Sequence, residues 1–280
     1  MSRTRGQDKS KPKISEADAK AVKAIEATPD VAAKLAAAEA FVKKSPKSPA
    51  RQQLVDYIVD QIVAVSDPNQ KLSLAQKFQT VFTAAGEVNA IKPVEIDADI
   101  GLNKFDEAFA VGAAVLVKNP EDLQVLITLA ITGTEQVKKQ NTKYANDAGQ
   151  YGNKAILLLE ADKKPADLDD LAWGRFKGML PQLYQEMAII SFTKQDWGGA
   201  TGKVEMAIKL NPADPFNYVL HGSLVNDEYQ RVALNHKNMP DGKAKDDMLR
   251  QATGLLDQII DDYARAIALS EGKAPYQTLH

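Results

Sequence analysis

Few residues in this 280-residue chain are of a type and spacing that could do chemistry. There is no cysteine, so disulfides and thiolate metal sites are excluded. The three histidines, His221, His236 and His280, are scattered, and spacing gives none of them a convergent set of carboxylates for acid–base work or metal binding. The stretch GGATGKV at 198–204 invites a phosphate-loop reading and fails it. Trp197 stands where the motif needs its first glycine, Val204 follows the lysine in place of Ser or Thr, and no strand precedes it. Asp169-Asp170, Asp246-Asp247 and Asp261-Asp262 are adjacent in sequence, so on a helix each pair diverges by about 100° and is poorly placed to share a proton or an ion. Asp97-Ala98-Asp99 lacks the calcium-loop pattern. These acids read as solvated faces and helix starts, where negative charge suits the dipole. No GxSxG or HExxH set occurs. The expectation is a non-enzyme with no cofactor and no metal.

The elements that hold these residues are helical. Residues 181–214, PQLYQEMAIISFTKQDWGGATGKVEMAIKLNPAD, carry one apolar face (Tyr184, Met187, Ala188, Ser191, Phe192), a turn, and a second face (Trp197, Ala200, Val204, Ala207). Ala200 and Ala207 lie about two turns apart on one side of the second helix, where a larger side chain would push the helix axes apart. Asn211-Pro212 stops the helix, because proline has no N–H to continue the ladder. The frame recurs. Residues 105–120 place Phe105, Ala108 and Asn119-Pro120 at the positions of Trp197, Ala200 and Asn211-Pro212. Leu126, Leu129 and Ala130 follow as a new first helix, with Ala148 and Ala155 on its partner. After Pro212, Tyr218, His221 and Gly222 take the packing places, so His221 reads as a core histidine.

This recurring unit resembles the tetratricopeptide repeat, in which antiparallel helix pairs stack as a solenoid. The resemblance implies an all-α fold, a right-handed superhelix of about six helix pairs without a β-sheet. It divides the chain into a basic, disordered tail (1–14), degenerate repeat pairs (15–93), and clearer repeats (94–280) with insertions at 161–180 and 236–243. In the degenerate part, two alanine-rich helices over 15–44 break at Thr28-Pro29, with Thr28 as cap, and a striped helix covers 50–65. Another helix starts at Asp67-Pro68 and runs to Gly86. The acidic insertion at 161–180 extends the next first helix backwards, with Pro181 either kinking it or opening a fresh one. The segment FVKKSPKSP resembles the helix junctions of bacterial envelope repeat proteins.

By the same resemblance, the concave surface is lined by Gln124, Ile127, Ile131 and Thr134 in one repeat. In the next it is lined by Gln182, Gln185, Ile189 and Phe192, and in the last by Phe216, Val219, Ser223 and Asn226. None is basic, which disfavours acidic peptide tails. Amides beside Ile, Val and Phe suit an extended or helical peptide with apolar anchors. The alternative for the apolar members is packing against a neighbouring helix. The implied function is a non-catalytic scaffold or adaptor for a protein or peptide partner. A structural part of a bacterial envelope assembly, bound through the insertions and ends, is the competing reading, and an enzyme or small-ligand module using the acidic insertion is the third.

Charge adds little. Residues 1–13 carry five basic residues and one acidic, a net +4, against −6 for the remainder. The body has no face that interleaves basic and aromatic residues, so nucleic acid is not an expected partner. No segment reaches the roughly 18 apolar residues of a membrane span. No signal peptide opens the sequence; an envelope or periplasmic location would need one to have been removed, and the cytoplasm is the expectation otherwise.

Overall fold

A computed structural model describes residues 13–165 and 168–271. The basic tail expected at 1–14 falls almost wholly outside them. The described residues hold α-helices and one 3-10 turn, with no strand among them. They form two compact units, one ending at Pro120 and one beginning at Glu121.

The first unit runs α1 (Glu16–Glu26), α2 (Val31–Lys44), α3 (Ala50–Val63), α4 (Pro68–Val81), α5 (Ala85–Gly101) and α6 (Phe105–Lys118). Short side chains open three of these helices by accepting from exposed N–H groups. Ser15 accepts from Asp18 N at α1, Asp30 from Ala33 N at α2, and Asp67 from Gln70 N at α4. Asp30 therefore caps α2 in place of Thr28, whose hydroxyl donates back to Ala24 O at 3.2 Å. Lys34 Nζ then donates to Glu26 O, the last carbonyl of α1, and to Thr28 O in the turn after it, which ties the first two helices together. The helix from Pro68 stops at Val81, short of the expected Gly86. Phe82 leaves helical geometry and buries its ring 4.6 Å from that of Phe78. Glu87 restarts the chain as α5 by accepting from Ala84 N, and its carboxylate also pairs with Arg51 of α3. The core of this unit gathers Leu35, Leu54, Ile58, Ile62, Phe78, Phe82 and Ile91, all sealed from solvent.

The second unit runs α7 (Leu123–Lys138), a 3-10 turn (Thr142–Tyr144), α8 (Ala145–Glu160), α9 (Asp170–Gly178), α10 (Leu180–Thr193), α11 (Trp197–Leu210), α12 (Pro215–Asn238) and α13 (Lys243–Ser270). The pairs are α7 with α8, α10 with α11 and α12 with α13; α10 also touches α7 and α8, and α12 touches α10 and α11. The acidic insertion forms its own helix, α9, and Pro181 sits in the first turn of α10, so the proline opens a fresh helix and does not kink an extended one. The loop expected at 236–243 is shorter than the sequence suggests, because α12 continues through His236 to Asn238.

Close crossings explain the small residues. Ala188, Ala200 and Ala207 are fully buried, as are Ala148 and Ala155. Gly152 of α8 is tighter still. A Cβ there would stand 2.3 Å from Met187 Sδ of α10, so any larger residue makes that buried side chain shift. The turns after α5, α7 and α10 share one closure. Asn103, Gln140 and Gln195, at the ends of α5, α7 and α10, all take positive φ, the left-handed closure of a helix C-terminus.

Candidate functional site

Three first helices, α7, α10 and α12, carry the twelve residues expected to line a groove. Nine keep accessible surface: Gln124, Ile131, Gln182, Ile189, Phe192, Phe216, Val219, Ser223 and Asn226. Three do not. Ile127 is 3% exposed and belongs to the core, the helix-packing alternative. Thr134 is 0% exposed and its hydroxyl donates to Ala130 O at 2.9 Å. Gln185 is 7% exposed, and its Nε2 donates to Asp214 Oδ2 (2.8 Å) and Asn217 Oδ1 (2.7 Å). Asn217 in turn donates to Ala207 O and Asn211 O, so Gln185 is part of a buried network that fixes α10 to the end of α11 and the start of α12. Its amide is spent on the fold. The cause is the crowding of α10, which is contacted by α7, α8, α9, α11 and α12 and therefore buries residues on most of its circumference.

At one end of this face lies a cluster that the groove frame only half contains. The Phe192 ring, 37% exposed, meets the Trp197 ring edge-on at 5.0 Å. Arg231 of α12 stacks its guanidinium over the same indole, 4.6 Å from its centre, and lies 3.4 Å from Asp227. Trp197 was legible as a packing residue; Arg231 was not, since only the unexpected length of α12 brings it alongside. Ser223 sits at the other flank, its hydroxyl donating to Val219 O and lying 3.4 Å from Tyr263 Oη.

Two ionic contacts stand beside the face, one buried and one reaching from the surface. His221, read as a core histidine, is buried, and its Nδ1 lies 2.7 Å from Asp262 Oδ2 of α13. Asp262 is thus no solvated acid but the partner that holds α13 onto α12. The hydrogen bond to this carboxylate raises the imidazole pKa above its ordinary value, against the effect of burial. Its Nε2 is buried with no partner. Glu186 of α10 is the second; burial raises its pKa, opposed by Lys138 of α7, whose Nζ lies 3.0 Å from Oε2. Asp99 also proves buried, with its pKa pushed up by desolvation.

Among the described residues no group of three or more His, Asp or Glu side chains could hold a metal ion, and no helix is long and apolar enough to cross a membrane. The glycines of 198–202 open α11 beneath Asp196, whose carboxylate accepts from Gly199 N at 3.0 Å. That carboxylate occupies the helix N-terminus and would repel a phosphate. His236 lies on α12, and His280 lies outside the described residues. In the first unit, a hollow of about 280 Å³ between α5 and α6 is walled by Val111, Ala114 and Val115, with Lys92 and Lys118 at its edge.

Successive antiparallel pairs, alanines at their crossings, and asparagines closing α6 and α11 fix the architecture. The described residues form an all-α helical repeat. No protein-family model matches the chain, and no match is found among curated proteins. Among solved structures it is similar to a tetratricopeptide repeat protein from Parabacteroides merdae ATCC 43184. The identity is 14% and the TM-score 0.47, with 95% of this chain and 98% of that chain covered.

Proposed function

We propose that this protein is a non-catalytic scaffold that binds a peptide segment of a protein partner across α7, α10 and α12. The observation that carries the reading is the Phe192–Trp197–Arg231 cluster. A half-exposed aromatic edge is held in place by a second ring and a stacked guanidinium, with Ile189 one turn away on the same helix. Aromatic and arginine side chains pre-ordered in this way are typical anchors of protein interfaces, because little rotamer entropy is lost when a ligand covers them. Elsewhere on the same three helices, Gln124, Gln182, Ser223 and Asn226 offer exposed polar groups to a peptide backbone.

Affinity capture compared between the wild-type chain and the Ile189→Asp/Phe192→Asp variant tests the proposal. Partners retained by the wild type should be lost from the variant, with helical content and melting unchanged. Equal retention of every partner by the two proteins would remove the groove from the account.

A further inference from the structure

The last helix carries an apolar seam that the described residues leave uncovered. On α13, Leu249 is 51% exposed, Leu256 41%, Ile260 60% and Ile267 37%. At 3.6 residues per turn these four fall within about 40° of one another, turned about 80° from Ile259, which is buried. A single exposed leucine is ordinary; four in line along about 27 Å of helix are not.

The spacing of the seam says what fits it. The intervals are seven, four and seven residues, the same read from either end. An antiparallel copy of α13, related by a two-fold axis level with Gln258, sets Leu249 against Ile267 of the other copy, and Leu256 against Ile260. Every layer then holds one leucine and one isoleucine. Thr253 and Ala264, both exposed and small, lie along one margin at matching heights. A self-complementary patch of this kind is what an isologous two-fold contact requires. A parallel copy would set leucine on leucine and isoleucine on isoleucine, so the arrangement of mixed layers is specific to the antiparallel one. We infer that α13 joins two copies of this chain as an antiparallel helix pair along Leu249, Leu256, Ile260 and Ile267.

Two features limit the strength of the contact. Its length is small for a stable interface, so the dissociation constant falls in the micromolar range, about 1–100 µM. Asp257 flanks the seam beside the axis, where it meets Asp257 of the other copy at an offset of about 3 Å along the helix. That repulsion loosens the pair, so Asp257→Asn strengthens it several-fold.

The chain has no cysteine, which makes single-cysteine reporters direct. Asp257→Cys, in the full chain under a mild thiol oxidant such as diamide, should cross-link into a dimer. Arg250→Cys should not, because the two-fold axis puts its two copies about 24 Å apart along the seam, beyond the reach of a disulfide. Sedimentation equilibrium should show a monomer–dimer equilibrium that Leu256→Glu/Ile260→Glu weakens about a hundred-fold or more, with the melting curve unchanged at concentrations where both proteins are monomers, because both side chains already face solvent. Four results overturn the inference. One is a monomer at every concentration, whether its seam is covered by residues beyond Glu271 or by a different protein. Another is a dimer indifferent to Leu256→Glu/Ile260→Glu. A third is a dimer that Asp257→Cys does not cross-link. The last is cross-linking at both cysteines, which would mean parallel pairing.

Discussion

Replacing His221 with leucine leaves the Asp262 carboxylate buried between α12 and α13 without the imidazole that now lies 2.7 Å away. Both side chains are only 8% exposed, so water cannot replace the lost partner. Removing one member of such a pair costs about 3–5 kcal/mol, whereas replacing both by apolar groups of similar volume is close to neutral. His221→Leu should therefore destabilise the second unit by about 3–5 kcal/mol, and His221→Leu/Asp262→Leu should recover most of it. Trp173 and Trp197 are the only tryptophans, and both lie in that unit, so urea titration followed by indole fluorescence reads it directly. The sign of the pH dependence is fixed by the geometry. The carboxylate beside His221 raises its folded pKa above the unfolded value near 6.5. The stabilisation is complete below about pH 6.5 and is lost as pH rises through the folded pKa. The gap between wild type and His221→Leu should be wide near about pH 6 and narrower near about pH 8. A gap that stays constant or widens over that interval refutes the reasoning.

Two other predictions concern the packing. Gly152→Val drives a side chain into Met187, which is 1% exposed and cannot swing into water; the cost is roughly 1–3 kcal/mol by urea titration, and Met187→Ala should return part of it. In the first unit, the Arg51 guanidinium bonds Glu87 and holds its carboxyl below the ordinary glutamate value, against the effect of burial. That contribution is present above about pH 4.5 and lost as pH falls through the depressed folded pKa, so Arg51→Met should remove the acid-sensitive part of the unit's stability, measured by hydrogen exchange in α3 and α5.

What the sequence made legible was local. Alanines at helix crossings, Asn-Pro stops and the 3.5-to-3.6-residue periodicity of Tyr184, Met187, Ala188 and Ser191 declare a helix pair because each acts through its own neighbours. The competing errors came from contacts distant in sequence. Gln185 reads as a groove residue from sequence because nothing nearby marks it as buried; its partners Asp214 and Asn217 lie about thirty residues on. Asp262 read as solvated because its partner, His221, lies on another helix. The end of α4 at Val81 is hidden for the same reason. Phe82 is sealed in the core with the Arg51 guanidinium of α3 over its ring, and Glu87, which begins α5, pairs with the same arginine. Arg231 became visible only with α12 continued past the repeat frame.

The central claim is that a peptide binds across α7, α10 and α12 through the cluster around Phe192. Its most direct test is calorimetric titration of a peptide selected from a displayed library on the wild-type chain, repeated with Phe192→Asp and with Arg231→Ala. The account predicts a loss of affinity of about ten- to a hundred-fold for Phe192→Asp and a smaller one for Arg231→Ala, at unchanged melting temperature. Unchanged binding of that peptide by both variants would contradict it.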